Sequence, residues 1–155
     1  MAFIDDYLAW VIGPTAKENT QIIQGEIIPI LKKWERTSGA QFKAKKTSFI
    51  HLIRYKEAGR DATTPLQCKG KGIPPTQDVK ILGVILDKEL RFKAHLADKV
   101  GKATKVALAL RRLKGLQPKS VKQLAKSSVL PVADYASPIW YPLATQELIQ
   151  LLQQA

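Results

Sequence analysis

Met1-Ala2-Phe3-Ile4-Asp5-Asp6-Tyr7-Leu8-Ala9-Trp10-Val11-Ile12 opens the chain, and it sets two adjacent carboxylates between two short apolar runs. That arrangement predicts a β-hairpin with Asp5 and Asp6 at its tip. Neighbouring carboxylates repel each other, a cost that is small in a water-exposed turn and that a Mg²⁺ ion also offsets, because hard divalent cations prefer oxygen ligands. On the dipeptide alone both readings stand: an acidic turn, in which Asp is common, or a pair of metal ligands.

Outward from this hairpin, Gly13-Pro14 closes the second run, and Thr15 with Glu18 three places on reads as a capping box that opens a helix. Ile23, Ile27, Ile30, Leu31 and Trp34 recur at helical spacing, so one face of this helix is expected to pack on a core. Pro29 lies inside the pattern and is expected to kink or interrupt it, with Ser38-Gly39 as the stop. From Gln41 to Tyr55 the period shortens, and Phe49, His51, Ile53 and Tyr55 alternating with Ile50, Leu52 and Arg54 predict a strand with apolar side chains on both faces. Lys43, Lys45 and Lys46 precede it. His51 and His95 lack a neighbouring ligand cluster at metal spacing and read as structural or surface residues. Lys56 to Asp78 is rich in Gly, Pro, Thr and charge, and reads as a loop with at most a short hairpin near Leu66 to Ile73.

The second half differs in character. Val79 to Asp87 is a β-rich run with Gly83 at its centre, a position that admits close backbone approach or a bulge; a plain buried strand is the simpler alternative. Phe92 to Lys114 carries Phe92, Leu96, Val100, Ala103, Ala107 and Leu110 on one stripe, with Gly115 placed to end the helix. A second helix starts at Pro118 and turns Val121, Leu124, Ala125 and Val129 inward, with Lys119, Lys122 and Lys126 outward. Tyr135, Trp140 and Tyr141 lie among Pro131, Pro138 and Pro142 as aromatic anchors in an irregular or kinked segment. A short helix from Thr145 to Gln153 is expected to close the chain.

Charge narrows the class of partner. The 155 residues hold 25 Lys and Arg against 13 Asp and Glu, a formal charge of +12. From Lys80 to Lys126 the only acids are Asp87, Glu89 and Asp98. The overall charge suggests a polyanionic partner such as nucleic acid or an anionic membrane surface, and on these consecutive helices a phosphate-binding face stands level with a solvated one. The single Cys68 excludes an internal disulfide. With no apolar stretch near 18 residues and no basic-then-apolar leader, neither a membrane span nor a secretory signal is read, and an intracellular protein is expected. No Ser-His-Asp or Cys-His pairing suggests nucleophilic catalysis.

Phe3-Ile4-Asp5-Asp6, Trp34 to Gly39, Lys45-Lys46-Thr47, Ile50-His51, Val79 to Asp87 and Leu130 to Trp140, in this order, resemble the reverse transcriptase of fungal non-LTR (LINE-type) retrotransposons. The resemblance implies an α+β fold: a partial polymerase palm over 1–78 made of β-hairpin, helix and strand, a primer-grip-like hairpin over 79–91, and a helical basic thumb over 92–155. It implies that Asp5 binds the catalytic Mg²⁺ ions, that Asp6 adds charge and coordination, and that Lys46 protonates or neutralises the leaving pyrophosphate. It also implies that Leu82 and Gly83 sit at the centre of the primer grip, and that Lys102, Lys105, Arg112, Lys119 and Lys122 track the phosphates of an RNA template and DNA primer. Two-metal nucleotidyl transfer is the chemistry of that family. Its bridging aspartate and its fingers residues would precede Met1, so the isolated chain is expected to be an inactive fragment of an RNA-directed DNA polymerase that needs the missing upstream segment, in the nucleus by resemblance. The alternative is a nucleic-acid-binding remnant that grips duplex phosphates without catalysis.

Overall fold

A computed structural model describes residues 2–3, 6–53 and 62–143. The backbone divides into two compact units, Met1–Val79 and Lys80–Ala155. Short antiparallel strand pairs and helices make up both, an α+β composition. Among the described residues the strands form three separate two-stranded pairs.

In the first unit, β1 (Ala2–Phe3) pairs with β2 (Asp6–Tyr7), Phe3 opposite Asp6. A short antiparallel ladder is present where the acidic hairpin is expected, but Asp6 belongs to strand β2 and not to the tip; Asp5 lies outside the described residues. Helix α1 (Ala16–Ile22) starts as its sequence dictates: the Thr15 hydroxyl accepts the Glu18 amide at 3.2 Å, satisfying one of the donors that a helix start leaves unpaired. The helix runs on through a π-helical segment, Ile23–Ile27, into α2 (Ile28–Ser38). Gly39, at φ 72°, ends it in the left-handed conformation, and its amide bonds to the Glu35 carbonyl.

The interruption expected at Pro29 takes the form of the π-helical segment just before it. A proline inside a helix lacks the N–H that would pair with the carbonyl four residues back, and its ring crowds that carbonyl. Here the turn before it widens instead, the Ile28 amide bonding to the Ile23 carbonyl five residues back. The extra residue shifts the inward stripe by one position. Before the wide turn Ala16 and Thr20 are buried; after it the packed positions are Ile28, Leu31 and Glu35, while Ile30 is turned to solvent and Trp34, half exposed, lies against the Phe42 ring. The inward placement of Ile30 and Trp34 expected from α-helical spacing is thereby corrected.

β3 (Leu66–Cys68) and β4 (Lys71–Ile73) form a hairpin whose Leu66, Cys68 and Ile73 pack on Ile28, with Ile23, Leu31 and Phe49 alongside. The Gln24 side chain continues the sheet: its amide nitrogen donates to the Gln67 carbonyl and its oxygen accepts the Gln67 amide, so the free edge of β3 is closed by a side chain. The strand expected between Gln41 and Tyr55 is absent among the described residues 41–53. Its contact with another segment is local: the Phe49 carbonyl accepts both the amide and the hydroxyl of Thr76, without a ladder. His51 is buried against the Thr20 hydroxyl, 3.3 Å away. That hydroxyl already donates to the Ala16 carbonyl, so the ring acts as donor from Nε2.

The second unit is built on the hairpin of β5 (Asp78–Ile81) and β6 (Val84–Asp87), joined by Leu82 and Gly83 at φ 47° and 83°. Two consecutive left-handed residues match the right-handed twist of paired strands, which a two-residue turn with negative φ would not. Helix α3 (Lys93–Arg111) follows, then α4 (Pro118–Leu124), a second π-helical segment (Ala125–Val129), α5 (Leu130–Ala133), α6 (Ser137–Trp140) and a 3₁₀ turn (Tyr141–Leu143). Pro131 stands two residues beyond its π segment just as Pro29 does. The core joins Val84, Phe92, Leu96 and Trp140, with Leu86, Leu90 and Ala136 packed around them. Val121, expected inward, is exposed, as is Tyr141; Trp140 is the aromatic anchor. The helix expected from Thr145 to Gln153 lies outside the described residues.

Candidate nucleic-acid interface

The first helical turn of α3 is set by a carboxylate that the sequence pattern does not single out. Asp87 Oδ1 accepts the amides of Glu89 and Arg91, both at 3.0 Å, and Oδ2 accepts the Phe92 amide at 2.6 Å. Leu90 and Phe92 both have positive φ, 54° and 58°. The loop is wound tightly enough to aim three N–H groups at one side chain, and that side chain is what offsets the left-handed backbone. An Asp beginning a tight turn is a familiar local signal; nothing in the sequence announces a left-handed Phe92.

With α3 so anchored, its buried face holds more than the apolar stripe. His95 is fully buried, its ring set against Phe92 and Trp140, and Nδ1 accepts the Ile85 amide at 3.2 Å. The neutral ring therefore carries its proton on Nε2. Burial chiefly, and the Lys99 charge next, hold its pKa below the usual histidine range. Lys99 is buried as well, its ammonium 4.0 Å from the centre of the Tyr135 ring. Burial and then Lys102 lower its pKa.

Tyr135 ties this helical layer to the hairpin tip. Its hydroxyl donates to the Leu82 carbonyl at 2.7 Å, and a Cβ on Gly83 would lie 3.1 Å from the tyrosine ring edge and oxygen. Gly83 is thus required twice, for its positive φ and for this close approach. What comes close is an aromatic ring, where the sequence suggested another backbone. Trp140 Nε1 donates to the Tyr135 carbonyl at 2.9 Å, fixing the same residue from behind.

The outer surface of the helices is basic. Lys102, Lys105, Arg112, Lys119 and Lys122 are all exposed. At 3.6 residues per turn Lys102, Lys105 and Arg112 fall within roughly 80° of one another on α3 and its end. Lys102 is partly neutralised by Asp98, 2.7 Å away and four residues back, and that bond holds the Asp98 pKa low. Among the described residues Lys105, Arg112, Lys119 and Lys122 form no ion pair, so their charge is directed to solvent.

The remaining expected site residues lie in the first unit. Lys46 is exposed in a turn, its amide bonded to the Lys43 carbonyl. Tyr7, next to Asp6, packs edge-on against Phe42 with 5.9 Å between ring centres, so β2 lies against the segment leading to Lys46. Among the described residues no three His, Cys, Asp or Glu side chains are grouped to hold a metal ion; Asp5 and the Asp6 side chain lie outside that description. Among the same residues no helix is long and apolar enough to cross a membrane.

Comparison with known proteins gives one informative likeness. Over 153 residues, 96% of this chain, the sequence is 25% identical to a 115 kDa protein in type-1 retrotransposable element R1DM of Drosophila melanogaster. The chain spans 14% of that protein's length. No family model and no solved structure matches. The likeness, collinear over nearly the whole chain, supports a retrotransposon-related origin.

Proposed function

We propose that this chain is the downstream palm and thumb part of a retroelement reverse transcriptase, and that its own retained capacity is to hold nucleic-acid phosphates. One observation carries the reading: a retroelement-like sequence whose second unit turns an unpaired cationic helical surface outward, beside a hairpin locked at its tip by Tyr135. Phosphate contacts release condensed counterions, and this supplies most of the sequence-independent affinity of proteins for nucleic acid. In the complete polymerase the β5–β6 hairpin would hold the primer end, and Asp5, Asp6 and Lys46 would serve nucleotidyl transfer to a DNA primer on an RNA template, with Mg²⁺ and in the nucleus. The resemblance calls for a further bridging aspartate that these residues do not supply. Loss of such a ligand removes several kcal/mol of transition-state stabilisation, roughly 10²-fold or more in rate.

The purified chain, given Mg²⁺, an RNA template, a DNA primer and deoxynucleotides, is therefore expected to extend the primer no better than the Asp5→Ala/Asp6→Ala variant. Extension above that control would refute the fragment reading. In a filter-binding titration without Mg²⁺, duplex binding is expected to weaken steeply with salt. The Lys102→Ala/Lys105→Ala/Arg112→Ala variant should bind less tightly, with a slope shallower by about 0.9 for each phosphate no longer neutralised. Unchanged affinity and slope would remove the thumb-like surface from the proposal.

A further inference from the structure

The first unit has a cationic concavity of its own. At the C-terminal end of α2 an open cavity of about 510 Å³ is walled by Lys32, Glu35 and Arg36 on the helix, by the turn at residues 39–41, and by Lys69 from the β3–β4 turn. We propose that this cavity binds a phosphate group of a nucleic-acid strand, held by Lys32, Arg36 and the Lys69 ammonium. The proposal rests on the reading that the chain handles nucleic acid, and it adds a contact from the unit that lacks the basic helices.

Its electrostatics follow from which groups are already engaged. Glu35 is the only acid between Lys32 and Lys46, a stretch that also holds Lys33, Arg36, Lys43 and Lys45. Its Oε1 accepts the Lys69 ammonium at 2.6 Å and the Phe42 amide, and these bonds, the lysine first, lower its pKa. The one negative charge of the cavity is therefore consumed internally. Lys69 donates a second bond to the Phe42 carbonyl at 2.6 Å, which leaves one of its three N–H groups for a ligand. Arg36 uses Nε on the Lys32 carbonyl, and among the described residues its two terminal nitrogens have no bonded partner, in the fork geometry suited to a phosphate.

The competing explanation is that basic side chains near a helix C-terminus only complement its dipole. That dipole amounts to about half a negative charge. Three cations less one carboxylate leave a surplus several times larger. Lys69 adds an observation that dipole complementation does not require: it comes from the two-residue turn of the β3–β4 hairpin, where it and Gly70 take the positive φ such a turn needs, and it reaches across to the end of α2. A lysine held there and fastened at its ammonium by two acceptors is a pre-placed charge.

Fluorescence anisotropy with a labelled single-stranded RNA 20-mer tests the proposal on the full chain. Lys32→Gln/Arg36→Gln, both exposed side chains, is the site variant, and Lys105→Gln/Arg112→Gln/Lys119→Gln is the control for the second unit. The site variant is expected to bind several-fold more weakly, with a salt slope shallower by about one unit. If wild type binds, the control variant is weakened and the site variant matches wild type in affinity and slope, the proposal is overturned while the broader reading stands. If wild type does not bind RNA, both fall. Inorganic phosphate, followed by amide chemical shifts, supplies the last arm: shifts at Arg36 and Lys69 without RNA binding would overturn the nucleic-acid assignment in favour of a small anion.

Discussion

Replacing Asp87 by Ala removes the acceptor for three amides at once, and the structure sets the scale of the loss. The Glu89 and Arg91 amides lie at the surface and water can replace their partner. Phe92 is 1% exposed, so its amide cannot be rehydrated without opening the core. A bond to a charged acceptor contributes about 1.5–3 kcal/mol, and a buried donor left unpaired costs about 1–3 kcal/mol more. Leu90 and Phe92 would also hold left-handed backbone at about 1–2 kcal/mol each with nothing to offset it. These effects overlap, and a net loss of about 3–4 kcal/mol is expected, a large share of the stability of a domain this size. Asp87→Asn keeps the oxygen serving Glu89 and Arg91 but turns an amide toward the Phe92 N–H, so it should fall between Ala and wild type. Urea denaturation read from Trp140 fluorescence, in a Trp10→Phe/Trp34→Phe background, isolates the second unit. With an m-value near about 2 kcal/mol/M the midpoint should drop by roughly 1.5–2 M for Ala. A drop under about 0.5 M, or Asn no better than Ala, would show that Asp87 does not organise the loop.

Other consequences follow from neighbouring contacts. Gly83→Ala should destabilise by about 1–3 kcal/mol through its positive φ and its collision with Tyr135. In a thermal-melt double-mutant cycle Tyr135→Ala should relieve the collision, and strictly additive losses would count against the close approach. His95 and His51 both have pKa values depressed by burial. Below the unfolded value of about 6.5 the unfolded chain gains protons that the folded one refuses, so stability should be full above that pH and fall as pH drops through the folded values. His95→Gln should flatten the fall in urea midpoint between pH 7 and 5; an identical profile would mean that His95 is not the titrating group. Thr15→Ala should cost about 1 kcal/mol through removal of the helix cap, measurable by urea denaturation.

How much of this was legible in the sequence depended on how far apart the interacting residues lie. The Thr15 cap, the Gly39 stop and the Leu66 to Ile73 hairpin are decided within a few residues, and the structure follows the pattern. The stripe of α3 does so too, with Phe92, Leu96 and Ala103 buried. The strand expected around Phe49 fails because a strand needs a partner ladder, and alternation of side chains does not reveal that Thr76 offers a single point of pairing. Lys99 reads as one more surface cation until Tyr135, far along the chain, puts a ring under its ammonium. The basic surface was legible as an excess of charge; of its pairings only that of Lys102 is local, its partner Asp98 standing four residues back.

The wide helical turns ahead of Pro29 and Pro131 have a consequence for how these helices choose their orientation. A helix with a one-residue surplus can wind in either of two settings, and the proline selects between them by forbidding the regular one. Substituting Ala at residue 29 would lift that veto, and a regular winding would swing the indole of Trp34 inward and carry Glu35 off the Phe42 amide. The imino acid thus acts here as a rotary stop, deciding which side of a cylinder faces the hairpin while leaving the cylinder whole.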